Sequence, residues 1–498
     1  MKKPVVHITN FNLKFQHKSV LSDLCWTINI GENWLLSGES GGGKTSLVKA
    51  IANLIPHYGT VQLNFNPTSN LAAVVYYVAN WYQFKNLEGQ SNFYYQQRYN
   101  KQAVSTTNSV GSELKHFGQQ HQLQLDALNP ILVALGFDNL LSATLIELSS
   151  GEHKKLQLIK ALWLKPQLLI LDLPYNGLDS ASRGHLNSLL VKLAEDGTQL
   201  ILISNETEMP SCINRFAKIQ DGKLVTTAEM QYLAKTTAID KPLPTFFEEK
   251  QWNSPKSHLI KMIDVNVSYG DKKVLKNINW EVKAGEKWAL QGPNGSGKST
   301  LLSLICADHP QAFANNFYLF GNLRGSGESI WEIKERIGLI SPELHWYFDP
   351  SATVWQSIVS GFYDSSGLFC EPGYTKRLQA DELIHFFGLD EYKNTLMNQL
   401  PLGKQRLALL GRTIIKNPEL LILDEPCQGL DQQQTFHFNK LIDELCQNGT
   451  TLIYVGHFES QLPDCIAKRI VLENGEVQVI ENINIKNYVT RSEQSLCI

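Results

Sequence analysis

Apolar and polar positions follow the same succession of periods twice along the chain. Phe11, Leu13 and Phe15 alternate as in a half-buried strand, and Leu24, Trp26, Ile28 and Ile30 repeat that pattern. In the second half Ile263, Val265, Val267 and Tyr269 alternate likewise, followed by Ile278, Trp280 and Val282. The apolar runs Trp34-Leu35-Leu36 and Trp288-Ala289-Leu290 each lead into a glycine-rich stretch and then a helical pattern, at 47–55 and 301–306. Residues 167–172 and 419–424 form continuous apolar runs that end in Asp172 and Asp424. Such a run predicts a central parallel strand whose carboxylate stands at the carboxyl edge of the sheet, where open α/β sheets bind ligands. A further strand is predicted in each half, over 199–204 and 451–456. The pattern predicts an α/β fold with two tandem nucleotide-binding domains. Periodicity breaks from Lys241-Pro242-Leu243-Pro244 to Asn253-Ser254-Pro255. The expected boundaries are 1–235 for the first domain, 236–256 for the linker, 257–490 for the second domain and 491–498 for a tail.

Bulk properties narrow the function classes. With 498 residues, 43% hydrophobic and 19% charged, the chain is globular and long enough for more than one core. A formal net charge of −3 gives no electrostatic footprint for nucleic acid. The eight cysteines are scattered singly with no C-x-x-C pair, which predicts free thiols and no zinc site. Met1-Lys2-Lys3-Pro4 runs directly into strand-like alternation, so no secretory signal is expected. No apolar stretch approaches the roughly 20 residues that span a bilayer. A cytoplasmic protein is expected, peripheral at the inner face of the cell membrane if another chain does the crossing.

The chemistry sits in the two glycine-rich stretches. Gly38-Glu39-Ser40-Gly41-Gly42-Gly43-Lys44-Thr45-Ser46 and Gly292-Pro293-Asn294-Gly295-Ser296-Gly297-Lys298-Ser299-Thr300 both contain G-x-x-x-x-G-K-[ST] between an apolar strand and a helical pattern. Glycines in such a loop let successive backbone N–H groups turn inward around phosphate oxygens. The lysine supplies a point charge for the β- and γ-phosphates, and the hydroxyl of Thr45 or Ser299 reaches Mg²⁺.

Together with Leu148-Ser149-Ser150-Gly151-Glu152 shortly before Asp172, these motifs resemble the ATP-binding-cassette family of ATPases over essentially the whole chain. The resemblance implies two P-loop domains, each with a mainly parallel sheet, an antiparallel β part and a helical subdomain. It implies ATP hydrolysis with ATP and Mg²⁺ as cofactors. It also implies head-to-tail pairing of the two domains, each ATP lying between the phosphate loop of one and the LSGGQ-like signature of the other. Phe15 and Tyr269 match the aromatic that stacks on adenine. Three stretches of the second half, 301–305, 319–331 and 360–365, further resemble the tandem type associated with molybdate transport.

On that resemblance the two sites differ. For the site on the second domain, Lys298 meets the β/γ oxygens, Ser299 and Asp424 hold the metal, Glu425 is the general base and His457 the switch histidine. Ser149 and the Gly151 backbone supply the facing signature. The site on the first domain keeps Lys44, Thr45 and Asp172. Leu173 replaces its base, Asn205 its histidine, and the facing signature reads Leu400-Pro401-Leu402-Gly403-Lys404, with proline for serine. Proline has no N–H to offer. The first site is therefore expected to bind ATP and turn it over slowly if at all.

The family's glutamine loop is not distinct: Asn80 or Gln83 would fill it in the first half and only Glu343 in the second. The aromatics Trp81, Tyr82, Phe84, Phe93, Tyr94 and Tyr95 read either as core or as a partner-facing subdomain, and so does 345–348. Two functions compete. One is the energising subunit of a transporter for molybdate or a similar oxyanion, docked on a separate integral membrane permease. The other is a soluble ATP-driven switch or regulator acting on ribosomes or nucleic acid, disfavoured by the short proline-bearing junction and the slightly acidic charge.

Overall fold

The protein is described here from a computed structural model covering residues 4–15, 18–39, 41–66, 74–80, 108–145, 148, 150–204, 209–227, 243–249, 258–270, 272–342, 344, 348–349, 351–365, 367–456 and 459–483. It divides into two compact units, Met1–Ala234 and Lys235–Ile498.

In the first unit β1 (Pro4–Phe15), β2 (Lys18–Asn29), β3 (Trp34–Gly38), β4 (Tyr58–Leu63), β5 (Val75–Val78), β6 (Leu168–Asp172), β7 (Gln199–Ile203), β8 (Arg215–Gln220) and β9 (Lys223–Thr227) form two sheets. A three-stranded antiparallel sheet has the order β2-β1-β4. A six-stranded sheet has the order β5-β6-β7-β3-β8-β9, parallel except for β9. In the second unit the strands are β10 (His258–Tyr269), β11 (Lys272–Lys283), β12 (Lys287–Gln291), β13 (Asn316–Leu319), β14 (Asn322–Leu323), β15 (Ile337–Ile340), β16 (Leu420–Asp424), β17 (Thr451–Val455), β18 (Lys468–Glu473) and β19 (Glu476–Asn482). The same plan returns: a β11-β10-β13-β14 antiparallel sheet beside β15-β16-β17-β12-β18-β19. The fold is α/β in both units.

The continuous apolar runs are explained by burial on both faces. In β16, Leu421 and Leu423 enter the core shared with the helical part, built from the helices Val354–Ser360, Tyr374–Phe386 and Leu402–Ile414. Leu420 and Ile422 enter a separate core beneath the antiparallel sheet. A strand between two cores has no solvent face, so no polar alternation survives. The duplication reaches individual contacts: Trp26 meets Trp34 edge-on with ring centroids 5.4 Å apart, and Trp280 meets Trp288 at 5.6 Å.

Three details depart from the period-two reading. Register shifts fall between Ile8 and Phe11 and between Met262 and Val265, with Asn10 and Asp264 at φ 50°. A bulge inserts one residue and flips the face that follows. Met262, not Ile263, therefore joins Val265 and Val267 in the core. Ile30 lies past the end of β2 and is 59% exposed. Part of the proline-bearing junction is packed: Phe246 of the short helix Phe246–Glu249 is buried in the second unit's core, and Asn417 Nδ2 donates to the Phe247 carbonyl. No helix among the described residues is long and apolar enough to cross a membrane.

Candidate active site

Both glycine-rich loops leave the carboxyl edge of a central strand and open a helix. β3 leads into the helix Lys44–Ile51 and β12 into Lys298–Ile305, with Gly43 and Gly297 as left-handed N-caps at φ 96° and 102°. Gly38 and Gly292 are fixed by close approach. A Cβ there would stand 2.4 Å from the Ile219 carbonyl oxygen and 2.2 Å from that of Leu472, respectively. Only glycine fits a left-handed position so tightly flanked. Lys44 Nζ donates to the carbonyls of Gly38 and Glu39, both at 2.7 Å. Lys298 Nζ donates to those of Gly292 at 2.7 Å and Pro293 at 2.9 Å. Each ammonium is thus centred over its own loop, whose remaining residues are Gly41, Gly42 and Ser46 in the first unit and Asn294, Gly295, Ser296 and Thr300 in the second. The Ser296 hydroxyl is buried with no hydrogen-bond partner among the described residues.

The strands beside the loops end on the predicted carboxylates. Asp172 closes β6 and is 1% exposed; Asp424 closes β16. Thr45, on the first helical turn, donates to Asp172 Oδ2 at 2.8 Å. The other oxygen, Asp172 Oδ1, is buried with no partner among the described residues. An orphaned carboxylate oxygen beside a helix N-terminus and a hydroxyl suits a hard cation such as Mg²⁺, which takes oxygen ligands. After each aspartate the backbone turns left-handed. Leu173 has φ 47° and donates its N–H to the Ile203 carbonyl at 3.0 Å; Glu425 has φ 46° and donates to that of Val455 at 3.1 Å.

Tyr269 ends β10 and is 54% exposed, with its hydroxyl 2.9 Å from His309 Nε2. His309 Nδ1 accepts from the Gln311 amide, so the neutral ring carries its proton on Nε2 and donates to the phenol. Burial keeps His309 below its usual pKa and neutral. The backbone of Phe15 lies at the corresponding end of β1. Gly151 stands in the first turn of the helix Ser150–Leu164, and Pro401 is the N-cap of Leu402–Ile414 with no side-chain cap. Ser40, Gln83, Ser149, Asn205, Glu343 and His457 lie outside the described residues, as do 81–107 and 345–347. Asn80 Oδ1 accepts from Asn176 Nδ2 at 2.7 Å, linking the end of β5 to the turn after Leu173.

Three residues that the motifs did not single out reach these strand ends. Tyr77 of β5 donates its hydroxyl to Asp172 Oδ2 at 2.9 Å. Burial and the Asp172 charge push its phenol far above the ordinary value, so it remains a donor. Lys154, fully buried, donates to the carbonyls of Ala79 at 2.8 Å and Asp172 at 3.2 Å. Burial pushes its pKa down to about 7 against the opposing pull of Asp172. Arg406 takes the corresponding helical position in the second unit, where Nη2 donates to the Gln428 carbonyl at 3.3 Å. Burial lowers its pKa to about 10, opposed by Cys427 and Glu425. The available signal was a basic residue on an otherwise buried helix face after each signature.

Comparison with known proteins gives a consistent picture. Residues 21–176 and 275–428 each match the ABC transporter family. The ABC transporter ATP-binding protein ModF of Escherichia coli K12 is 32% identical over 460 residues, covering 89% of this chain and 92% of that one. An uncharacterised ABC transporter ATP-binding protein of Schizosaccharomyces pombe is 30% identical over 466 residues, covering 90% and 93%. Among solved structures, cbiO1 from Clostridium perfringens, part of the ABC transporter complex cbiONQ, is 24% identical with a TM-score of 0.41, covering 48% of this chain and 93% of that one.

Proposed function

The chain belongs to the ABC transporter family as an ATP hydrolase with two tandem ATP-binding domains, and from that membership we propose that it hydrolyses ATP at one complete site and retains it at another. The observation that carries the proposal is the pair Leu173 and Glu425. They share one backbone conformation and one amide hydrogen bond, and only the second has a proton acceptor.

In the complete site the loop 292–300 cradles the phosphates and Lys298 takes the charge of the β- and γ-oxygens. Ser299 and Asp424 would hold Mg²⁺, as Thr45 and Asp172 would in the first. When bound, the cation neutralises charge on the β- and γ-phosphate oxygens. Glu425 orients the attacking water and accepts its proton as the oxygen attacks the γ-phosphorus in line, the bond from the γ-phosphorus to the β–γ bridging oxygen breaks and ADP leaves with that oxygen, and His457 contacts the γ-phosphate. Tyr269, its phenol anchored by His309, stacks on adenine, as Phe15 does in the first site. The family resemblance assigns Ser149 and the Gly151 N–H of the LSGGQ-like signature to a γ-phosphate. General acid–base help is worth about 10²–10⁴ in rate, and Leu173 offers none. Domain boundaries near 235 and 257 follow from the same reading.

The finer assignment is the energising subunit of a transporter for molybdate or a similar oxyanion, working with a separate membrane permease. It is supported by the resemblance to the tandem type and by the likeness to ModF along most of both chains. ATPase assays of Glu425→Gln and Leu173→Ala test the asymmetry: turnover lost only in the first is expected, and equal losses refute it. Affinity purification from detergent-solubilised membranes tests the partner. An integral membrane permease is expected to co-purify, whereas co-sedimentation with ribosomes would favour the soluble switch.

A further inference from the structure

The tyrosine at the end of β10 is held by side chains that do the work of a neighbouring strand. β13 pairs with β10 from Ile260 to Ile263. Past that point residues 309–315 take over. Asn315 Oδ1 accepts from the Asn266 amide at 2.8 Å, and its Nδ2 donates to the Asn266 carbonyl at 2.9 Å. Gln311 treats Ser268 in the same way, at 3.0 and 2.6 Å. His309 completes the series on the next residue: its Nε2 stands 2.9 Å from the Tyr269 hydroxyl, with the two rings edge-on at 5.6 Å. His309 is itself fixed. It is buried, and its Nδ1 caps the 3₁₀ turn Pro310–Ala314 by accepting from the Gln311 amide. Phe15, at the corresponding end of β1, has no hydroxyl to anchor.

A tyrosine 54% exposed at a strand end would otherwise visit three staggered χ1 wells, of which one presents the ring face to a given base position. A ring standing there about a third of the time weakens apparent affinity about threefold. A ring held there needs no ordering when the nucleotide arrives. We propose that His309 is a positioning residue for ATP at the second loop: it holds the Tyr269 ring preset for adenine and so sets KM for ATP without taking part in hydrolysis. The inference rests on the reading that Tyr269 stacks on adenine. It gives the complete site a device for base recognition that Phe15 has no atom to form.

The test uses the full chain and steady-state ATP hydrolysis. His309→Leu is expected to raise KM for ATP about threefold while kcat changes by less than about 1.5-fold. His309→Gln, whose Nε2 reaches the place of the imidazole nitrogen, brings KM back. Tyr269→Phe keeps the ring, removes the hydroxyl and raises KM by the same factor. Adding His309→Leu to Tyr269→Phe raises it no further, since both changes remove one contact. Inhibition by magnesium tripolyphosphate, which has phosphates for the loop but no base, keeps its Ki in every variant. An unchanged KM in His309→Leu, with KM raised in Tyr269→Ala, overturns the inference alone. So do a KM and a Ki that rise together, as a merely loosened loop gives. An unchanged KM in Tyr269→Ala overturns the stacking reading, and the inference with it.

Discussion

The carboxyl ends of β6 and β16 pair one backbone with two chemistries. Leu173 and Glu425 take the same left-handed φ and the same amide hydrogen bond to the neighbouring strand. A non-glycine residue at positive φ costs about 1–2 kcal/mol. Leucine bears that strain with no acid to present, so the turn belongs to the strand-to-loop geometry of the fold and not to catalysis. The aspartates differ in the same way. Asp172 is engaged by Tyr77, whereas the equivalent strand position beside Asp424 holds Leu339. The scaffold has been kept twice while the side chains at its edge have diverged.

The sharpest way to break the comparison is at the acid. Glu425→Gln is expected to lower steady-state hydrolysis by about 10²–10⁴, while Leu173→Ala leaves it within about twofold, since Leu173 has no proton acceptor to lose. A phosphate-release assay on both variants decides it. Next come the lysines. Lys298→Ala should lower turnover by about 10²–10³, the usual loss on removing a charge-stabilising donor. Lys44→Ala should mainly reduce the ATP that remains on the chain after gel filtration. Turnover falling equally in both would make the sites equivalent.

The glycines sharpen the comparison from the opposite side, because there the two units should agree. Gly38→Ala and Gly292→Ala each drive a Cβ onto a carbonyl at a left-handed position, and each should cost about 1–3 kcal/mol. Thermal denaturation reads this as a lowered Tm for both; an effect confined to one would show that the loops are not built alike. The smallest effect is expected from Leu173→Glu. A restored acid still lacks the histidine at Asn205, so turnover should change by less than about twofold. A large gain would trace the first site's silence to a single residue.

Much of this was legible along the chain. The loops at 38–46 and 292–300, the buried runs ending in Asp172 and Asp424, and the contrast of Leu173 with Glu425 are all local patterns. The bulges at Asn10 and Asp264 were not, because one inserted residue shifts a period-two face without any distinctive composition. Tyr77, Lys154 and Arg406 belong to no motif that the sequence analysis used. The burial of Lys154 and Arg406 became visible only once the helices were packed against the strand ends.

The sequence by itself determined that there are two phosphate loops, that each follows a strand and opens a helix, and which of them has an acid beside its aspartate. These properties depend on residue type, spacing and periodicity over short stretches. Tertiary structure alone decided what surrounds Asp172. Thr45, Tyr77 and Lys154 come from two helices and a strand far apart in the chain, and they meet because β5, β6 and β3 lie in one sheet in an order different from their order in sequence. Strand pairing sets that order through the burial of whole faces, and no local pattern encodes which side chain will stand opposite which carboxylate.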